Sequence, residues 1–302
     1  LFSTRRSGST LLRDILYSQP GFNYIDQPFD FTHRQYNPYQ RYLPQVKASQ
    51  FVSLTEEEKL LVEDYMNKLL NRKYVVRSQW QIKGGNYQWI WDRFVVKILN
   101  AKPLIKWFQD TWREKAIIVY MTRHPIANAL SVMRRDWELS AEAHLTNRSF
   151  VEENISDELY AFSRDIQKKG TTLEKHVLDW CLENLVPLRL WERSPWFTIS
   201  YEKIVSQPEI AIRRICKHFG LPDRTRMLET INRPTRTAFS SSEDIRLQGA
   251  QARLSKWLKE VDEQDLHDIS VIFDRFQLGL YKVDDPFPLA QFDHGRSSDY
   301  WR

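Results

Sequence analysis

Phe2-Ser3-Thr4-Arg5-Arg6-Ser7-Gly8-Ser9-Thr10-Leu11 is the stretch on which the fold turns. An apolar start runs into two arginines, then a Ser-Gly-Ser-Thr turn, then a run that reads as a helix. This order brings backbone N–H groups, hydroxyls and a guanidinium around one small anion, because a helix N-terminus offers unpaired donors and the positive end of its dipole. A nucleoside-triphosphate loop would need Gly-Lys-Ser/Thr, whose lysine holds the terminal phosphates and whose hydroxyl holds magnesium. That pair is absent here, so the loop suits an anion without a metal. The arginine in its place presents a planar fork to phosphate or sulfate oxygens.

The rest of the chain fits an α/β reading. Strand-like runs at 1–4, 94–99, 116–121 and 196–200 are rich in β-branched and aromatic residues and bounded by charge, as in strands covered on both faces. Helical patterns occupy 9–18, 55–71, 103–112, 125–138, 171–192, 208–219, 252–259 and 262–279. Thr55 before Glu56-Glu57-Glu58 is an N-cap signal, and Pro103 and Pro125 suit first helical turns. Gly220-Leu221-Pro222 is a helix stop. Strands alternating with helices predict a doubly wound, mostly parallel sheet flanked by helices, with 1–302 as one domain and 284–302 as an extended tail. Segments 26–54 and 139–170 lack clean periodicity and are expected to be loops over a crevice at the strand C-terminal ends.

Composition narrows the function. The 302 residues are 42% hydrophobic and 27% charged, with 44 Lys+Arg against 39 Asp+Glu for a net charge of +5. There is no dense basic stripe or reading module, so nucleic acid is not an expected partner. Two cysteines, Cys181 and Cys216, sit at apolar helix phases and are expected as buried thiols, one bridge remaining open. No Cys/His spacing suggests a metal site, and no run is long enough to cross a bilayer. Leu1 already lies in the first expected strand, so an upstream leader or anchor could be missing; a cytoplasmic location is the expectation. The oligomeric state is open.

A second anion motif lies at Ile117-Ile118-Val119-Tyr120-Met121-Thr122-Arg123-His124-Pro125. A buried strand ends at Arg123, and the helix that follows carries Ser131 and Arg135. Ser131 comes eight residues after Arg123, and Arg135 is i+4 from Ser131, so all three can face one dianion.

These two motifs together resemble the sulfotransferase family that uses 3'-phosphoadenosine 5'-phosphosulfate (PAPS). Ile199-Ser200-Tyr201-Glu202-Lys203-Ile204-Val205 is similar to that family's Tyr-Glu segment. Ser241-Ser242-Glu243-Asp244 with Leu254-Ser255-Lys256-Trp257 resembles the C-terminal part of protein-tyrosine sulfotransferases. The resemblance also extends to carbohydrate sulfotransferases and bacterial relatives, and it implies a P-loop-like architecture. It implies that Arg5, Arg6, Ser7, Gly8, Ser9, Thr10 and Leu11 hold the phosphosulfate. By the same resemblance Arg123, Ser131 and Arg135 take the 3'-phosphate, with Tyr201, Ser241 and Lys256 near the nucleotide. PAPS would be the donor and PAP the product, with no metal. The acceptor would be a small molecule, glycan or peptide bearing a hydroxyl or amine.

For the chemistry, Lys97 falls where carbohydrate sulfotransferases carry a lysine at the leaving group, and Lys102 is its rival. The resemblance puts the catalytic Glu at Gln27, and an amide accepts no proton at neutral pH. Asp26, Asp30 or His33 is then the candidate base. Trp80, Trp89, Trp91, Trp107 and Trp137 are candidates for an acceptor pocket or for core packing. The competing readings are a PAP-binding protein without transfer activity and a small-molecule kinase.

Overall fold

The computed structural model describes residues 1–32, 37–74, 76, 90–222, 224–233 and 249–289. Five strands form the framework: β1 (Phe2–Ser3), β2 (Gly21–Asp26), β3 (Trp91–Lys97), β4 (Val119–Thr122) and β5 (Phe197–Ser200). β4 lies between β1 and β5, and β2 pairs with β3, all in parallel. A parallel bridge from Phe2 to Ile98 joins the two groups. It is made by Ile98 N donating to Leu1 O at 2.8 Å and Ser3 N to Ile98 O at 3.3 Å. The strand order is therefore β2-β3-β1-β4-β5, with the chain crossing from one side of β1 to the other.

Alternation along the strands assigns the two faces. Val119 and Met121 pack with Leu12, Ile15, Ile199, Ile212 and Met227. Their layer is built on the helices Ser9–Tyr17, Pro208–Phe219 and Arg224–Ile231. Phe2 and Tyr120 face the other way, among Ile105, Phe108, Ile126, Leu178 and Leu182. That layer comprises Ile105–Trp112, Pro125–Met133, Thr172–Leu190 and Glu263–Arg275. Helices on both faces of a parallel sheet are the doubly wound fold expected from the sequence.

Several elements depart from expectation. β2 had no counterpart in the sequence reading, because Asn23, Tyr24 and Asp26 interrupt its apolar character. Segment 139–170 is mostly helical rather than a loop, with Ala141–Leu145, Arg148–Asn154 and Asp157–Lys169. Asn147 and Ser156 cap the last two through their side chains. The helix expected over 125–138 ends at Met133, and Asp136 takes a left-handed φ of 51°. Cys181 and Cys216 are both buried and not bridged to each other, in opposite layers. Of the expected tail, 290–302 lies outside the described residues, as do Trp80 and Trp89. Trp107 packs against Phe108 and Trp112, and the Arg72 guanidinium covers the Trp91 ring at 4.2 Å.

One buried amide ties the helical layer to the sheet. Asn184, fully buried, donates to Thr4 Oγ1 at 2.8 Å and to Trp180 O at 2.7 Å, and it accepts from Tyr120 OH at 2.8 Å. Asn184→Ala leaves two buried hydroxyls short of a partner. Urea denaturation should then show a loss of about 1–3 kcal/mol.

Candidate active site

The loop after β1 enters the helix Ser9–Tyr17 through Gly8, whose φ of 86° is left-handed. A Cβ there would lie 2.3 Å from Tyr201 Cδ2 and 2.9 Å from Met121 Cε, so only glycine lets the loop sit against the tyrosine ring. No side chain caps this helix, which leaves its first-turn N–H groups for an incoming anion. Asn128 fixes the loop from behind, donating to Arg5 O at 2.7 Å and Ser7 Oγ at 3.0 Å.

The second motif converges on the first. Arg6 Nε donates to Ser131 Oγ at 3.0 Å, and Arg123 Nη1 donates to Arg6 O at 3.0 Å. Arg123 lies over the Tyr201 ring at 4.8 Å, and its Nε is buried with no hydrogen-bond partner among the described residues. Arg6 itself holds a left-handed φ of 65°. Burial, then the charges of Arg123 and Arg135, lowers its pKa to about 10. These guanidiniums are held together against their mutual repulsion, an arrangement that a bound dianion would relieve.

Both motifs open on one cavity of about 760 Å³. Its walls include Arg5, Arg6, Gly8, Ser9, Thr10, Leu11, Lys97, Arg123, Ser131, Tyr201 and Lys256. Ser7 is buried just behind them. Arg134, not Arg135, lines the cavity, where it pairs with Glu260. The reason is that the helix stops at Met133, so the i+4 spacing from Ser131 no longer holds at Arg135. Ser241 and His33 lie outside the described residues. No sequence motif marks Asn128, Arg134, Arg233 or Arg253, which lie in or behind these walls. Asn128 left one signal, as a buried amide in the apolar run Ile126–Val132.

The lysine and carboxylate candidates separate cleanly. Lys97, at the C-terminal end of β3, reaches the cavity; its Nζ lies 2.6 Å from Asp26 Oδ1 and 3.5 Å from Thr10 Oγ1. Burial pulls its pKa down, against the pull of Asp26. Lys102 does not reach it and forms a buried ion pair with Glu183 at 2.8 Å. Asp26 also accepts from Arg13 Nη1 at 2.6 Å, so it sits between two cations. Asp26, a candidate base from the sequence, is engaged by both cations and is not among the residues lining the cavity. Asp30 lines the cavity and accepts from Thr32 N and Oγ1 through Oδ1. Gln27 lines it as well, with a left-handed φ of 50°. Of the tryptophans, Trp137 is on the wall, 5.9 Å beneath Arg5. Among the described residues no His/Cys/Asp/Glu group could hold a metal, and no helix is long and apolar enough to cross a membrane.

The C-terminal wall is anchored by buried groups. His124 stacks on Trp257 at 4.4 Å, and its Nε2 meets Lys282 O at 3.0 Å. Glu202 accepts from His124 N at 2.9 Å and from Tyr281 OH at 3.1 Å. Burial raises the Glu202 carboxyl from 4.5 to about 7. The folded chain therefore binds a proton that the unfolded chain has released, and stability falls as pH rises between those two values. Glu202→Gln should reduce that decline, read as urea midpoints across the window. Asp179, also near 7, keeps a residual slope of the same sign.

The sulfotransferase family model matches residues 1–225. A solved structure, a sulfotransferase domain from the curacin biosynthetic pathway, is 15% identical at a TM-score of 0.43, over 90% of this chain and 95% of that one. No curated protein matches significantly.

Proposed function

The chain belongs to the sulfotransferase family, and on that premise we propose that it transfers the sulfuryl group of PAPS to an acceptor hydroxyl or amine. The observation that carries the donor assignment is the meeting of Arg6 and Arg123 in one cavity, with Ser131 and the Gly8 loop between them. A bisphosphorylated nucleoside has two charged ends, and the two arginine motifs would receive one each. The orphaned Arg123 Nε and the close approach that Gly8 allows both fit an oxygen-rich ligand. When bound, PAPS supplies a sulfuryl group on a good leaving group.

The chain's part is positioning and charge, as in phosphoryl transfer. The loop N–H groups and Arg6 would hold the phosphosulfate end, and Arg123 with Ser131 the 3'-phosphate. Tyr201 and Lys256 would flank the nucleotide. Lys97, beside Thr10, would face the bridging oxygen and balance its charge as the S–O bond breaks and the acceptor atom bonds to sulfur. Asp30, which lines the cavity, would take the acceptor's proton. The acceptor, a small molecule, glycan or peptide, would enter beside Gln27 and Trp137.

Gln27 also supports a second reading, a protein that binds PAP without turnover. Thermal shift separates the alternatives from a kinase: adenosine 3',5'-bisphosphate should stabilise the chain and Mg-ATP should not. Stabilisation by Mg-ATP alone would overturn the donor assignment. Calorimetry on Arg123→Ala should show bisphosphate binding weakened by about 2 kcal/mol, roughly thirtyfold in Kd. Gly8→Ala should weaken it by roughly tenfold or more, since Tyr201 and the loop cannot both keep their places.

A further inference from the structure

Four charged side chains form a chain of contacts beside the loop, with Arg13 and Lys97 buried and Asp14 and Asp26 half-buried. Asp26 and Lys97 are register partners across β2 and β3. Lys97 is 3% exposed, and its Nζ touches Asp26 Oδ1 at 2.6 Å. The other carboxylate oxygen, Oδ2, receives Arg13 Nη1 at 2.6 Å. Arg13 turns its Nε and Nη2 to Asp14 Oδ1, at 2.9 and 2.6 Å, and lies 4.2 Å over the Tyr24 ring. The charged groups facing Lys97 are thus Asp26 from β2 and Arg13 and Asp14 from the helix, with the Thr10 hydroxyl at 3.5 Å.

An ammonium this deeply buried loses its proton readily unless a carboxylate is in contact with it. Here one carboxylate serves two cations, so Arg13 competes with Lys97 for it. Only a charged Lys97 adds positive potential next to Thr10. A carboxylate whose two oxygens both face cations is badly placed to collect a proton from an acceptor. We propose that Asp26 is a positioning residue: it keeps the Lys97 ammonium charged and aimed at the loop, Arg13 sets how firmly it does so, and Asp26 takes no proton from the acceptor. What the charge accomplishes rests on the donor reading above; the coupling of Asp26, Arg13 and Lys97 does not.

The test reads Lys97 directly. Lysine enriched with 13C at Cε gives a shift that follows protonation, and the Lys97 signal is the one lost in Lys97→Arg. In Asp26→Asn the Lys97 midpoint should fall by roughly one pH unit or more relative to the wild type, and Asp26→Glu should restore it. Arg13→Gln should move it upward, because a like charge and a competitor for Asp26 are both gone. That opposite shift decides the matter even if Asp26→Asn fails to fold. An unchanged midpoint in Asp26→Asn, or a downward shift in Arg13→Gln, would overturn the proposal. A second measurement bears on function: the affinity of Asp26→Asn for adenosine 3',5'-bisphosphate should drop roughly tenfold as pH crosses the lowered midpoint. Asp26→Asn/Lys97→Met should abolish that drop, and its persistence there would overturn the proposal. If the wild type binds no bisphosphate, the donor assignment fails, while the NMR midpoints still decide the role of Asp26.

Discussion

Phe2 and Ser3 are only two residues of strand, yet they pair on both sides, with β4 through Tyr120 and Met121 and with Ile98 beyond β3. Everything about the site depends on this double pairing. It sets β1 in the middle of the sheet, where the chain order reverses direction, and so opens a crevice at its C-terminal end. The loop after β1 has one place to go, over that crevice, with Lys97 arriving from one flank and Arg123 and Tyr201 from the other. A longer β1 would carry the Arg-Arg-Ser-Gly turn out of reach of Asn128 and Ser131.

The parts of the fold legible in the sequence are those whose signal is local. The Gly8 turn, the buried strand leading to Arg123 and the caps at Thr55 and Gly220 each follow from a few neighbouring residues, and the structure keeps them. β2 was hidden because its polar residues are committed to tertiary partners: Asp26 to two cations and Tyr24 to Arg13 and Tyr17. Ala141–Leu145 and Arg148–Asn154 were hidden because they are too short to show a period, whereas Asp157–Lys169, capped by Ser156 with Asp157 and Glu158 in its first turn, carries a helical signal that reading 139–170 as a loop overrode.

The convergence of the two arginine motifs was legible in the sequence, and the surroundings of the candidate carboxylates were not. An arginine placed by a strand end or a tight turn can be located from sequence spacing alone. The fate of a carboxylate cannot, since it depends on which cations arrive from distant segments. Asp26 and Asp30 look alike in the sequence; one lies between Arg13 and Lys97, the other turns to Thr32 at the cavity wall. Likewise Lys97 and Lys102 stand five positions apart, and Glu183, from a helix far along the chain, captures one of them. The helix stop at Met133 leaves Arg134 on the cavity wall, while Arg135 still acts on Arg6 through its charge.

The guanidinium cluster around Arg6 has a practical corollary. Arg6 lies within the field of Arg123 and Arg135, with its own backbone in a left-handed turn. On the donor reading proposed above, any tetrahedral oxyanion would offset part of that like-charge field, whatever it is attached to. Ammonium sulfate or phosphate carried over from purification would therefore act as a competitor and also mask the loop's intrinsic weakness. Handled in chloride at low ionic strength, the same chain would be the more fragile preparation and the more honest one for weighing ligands.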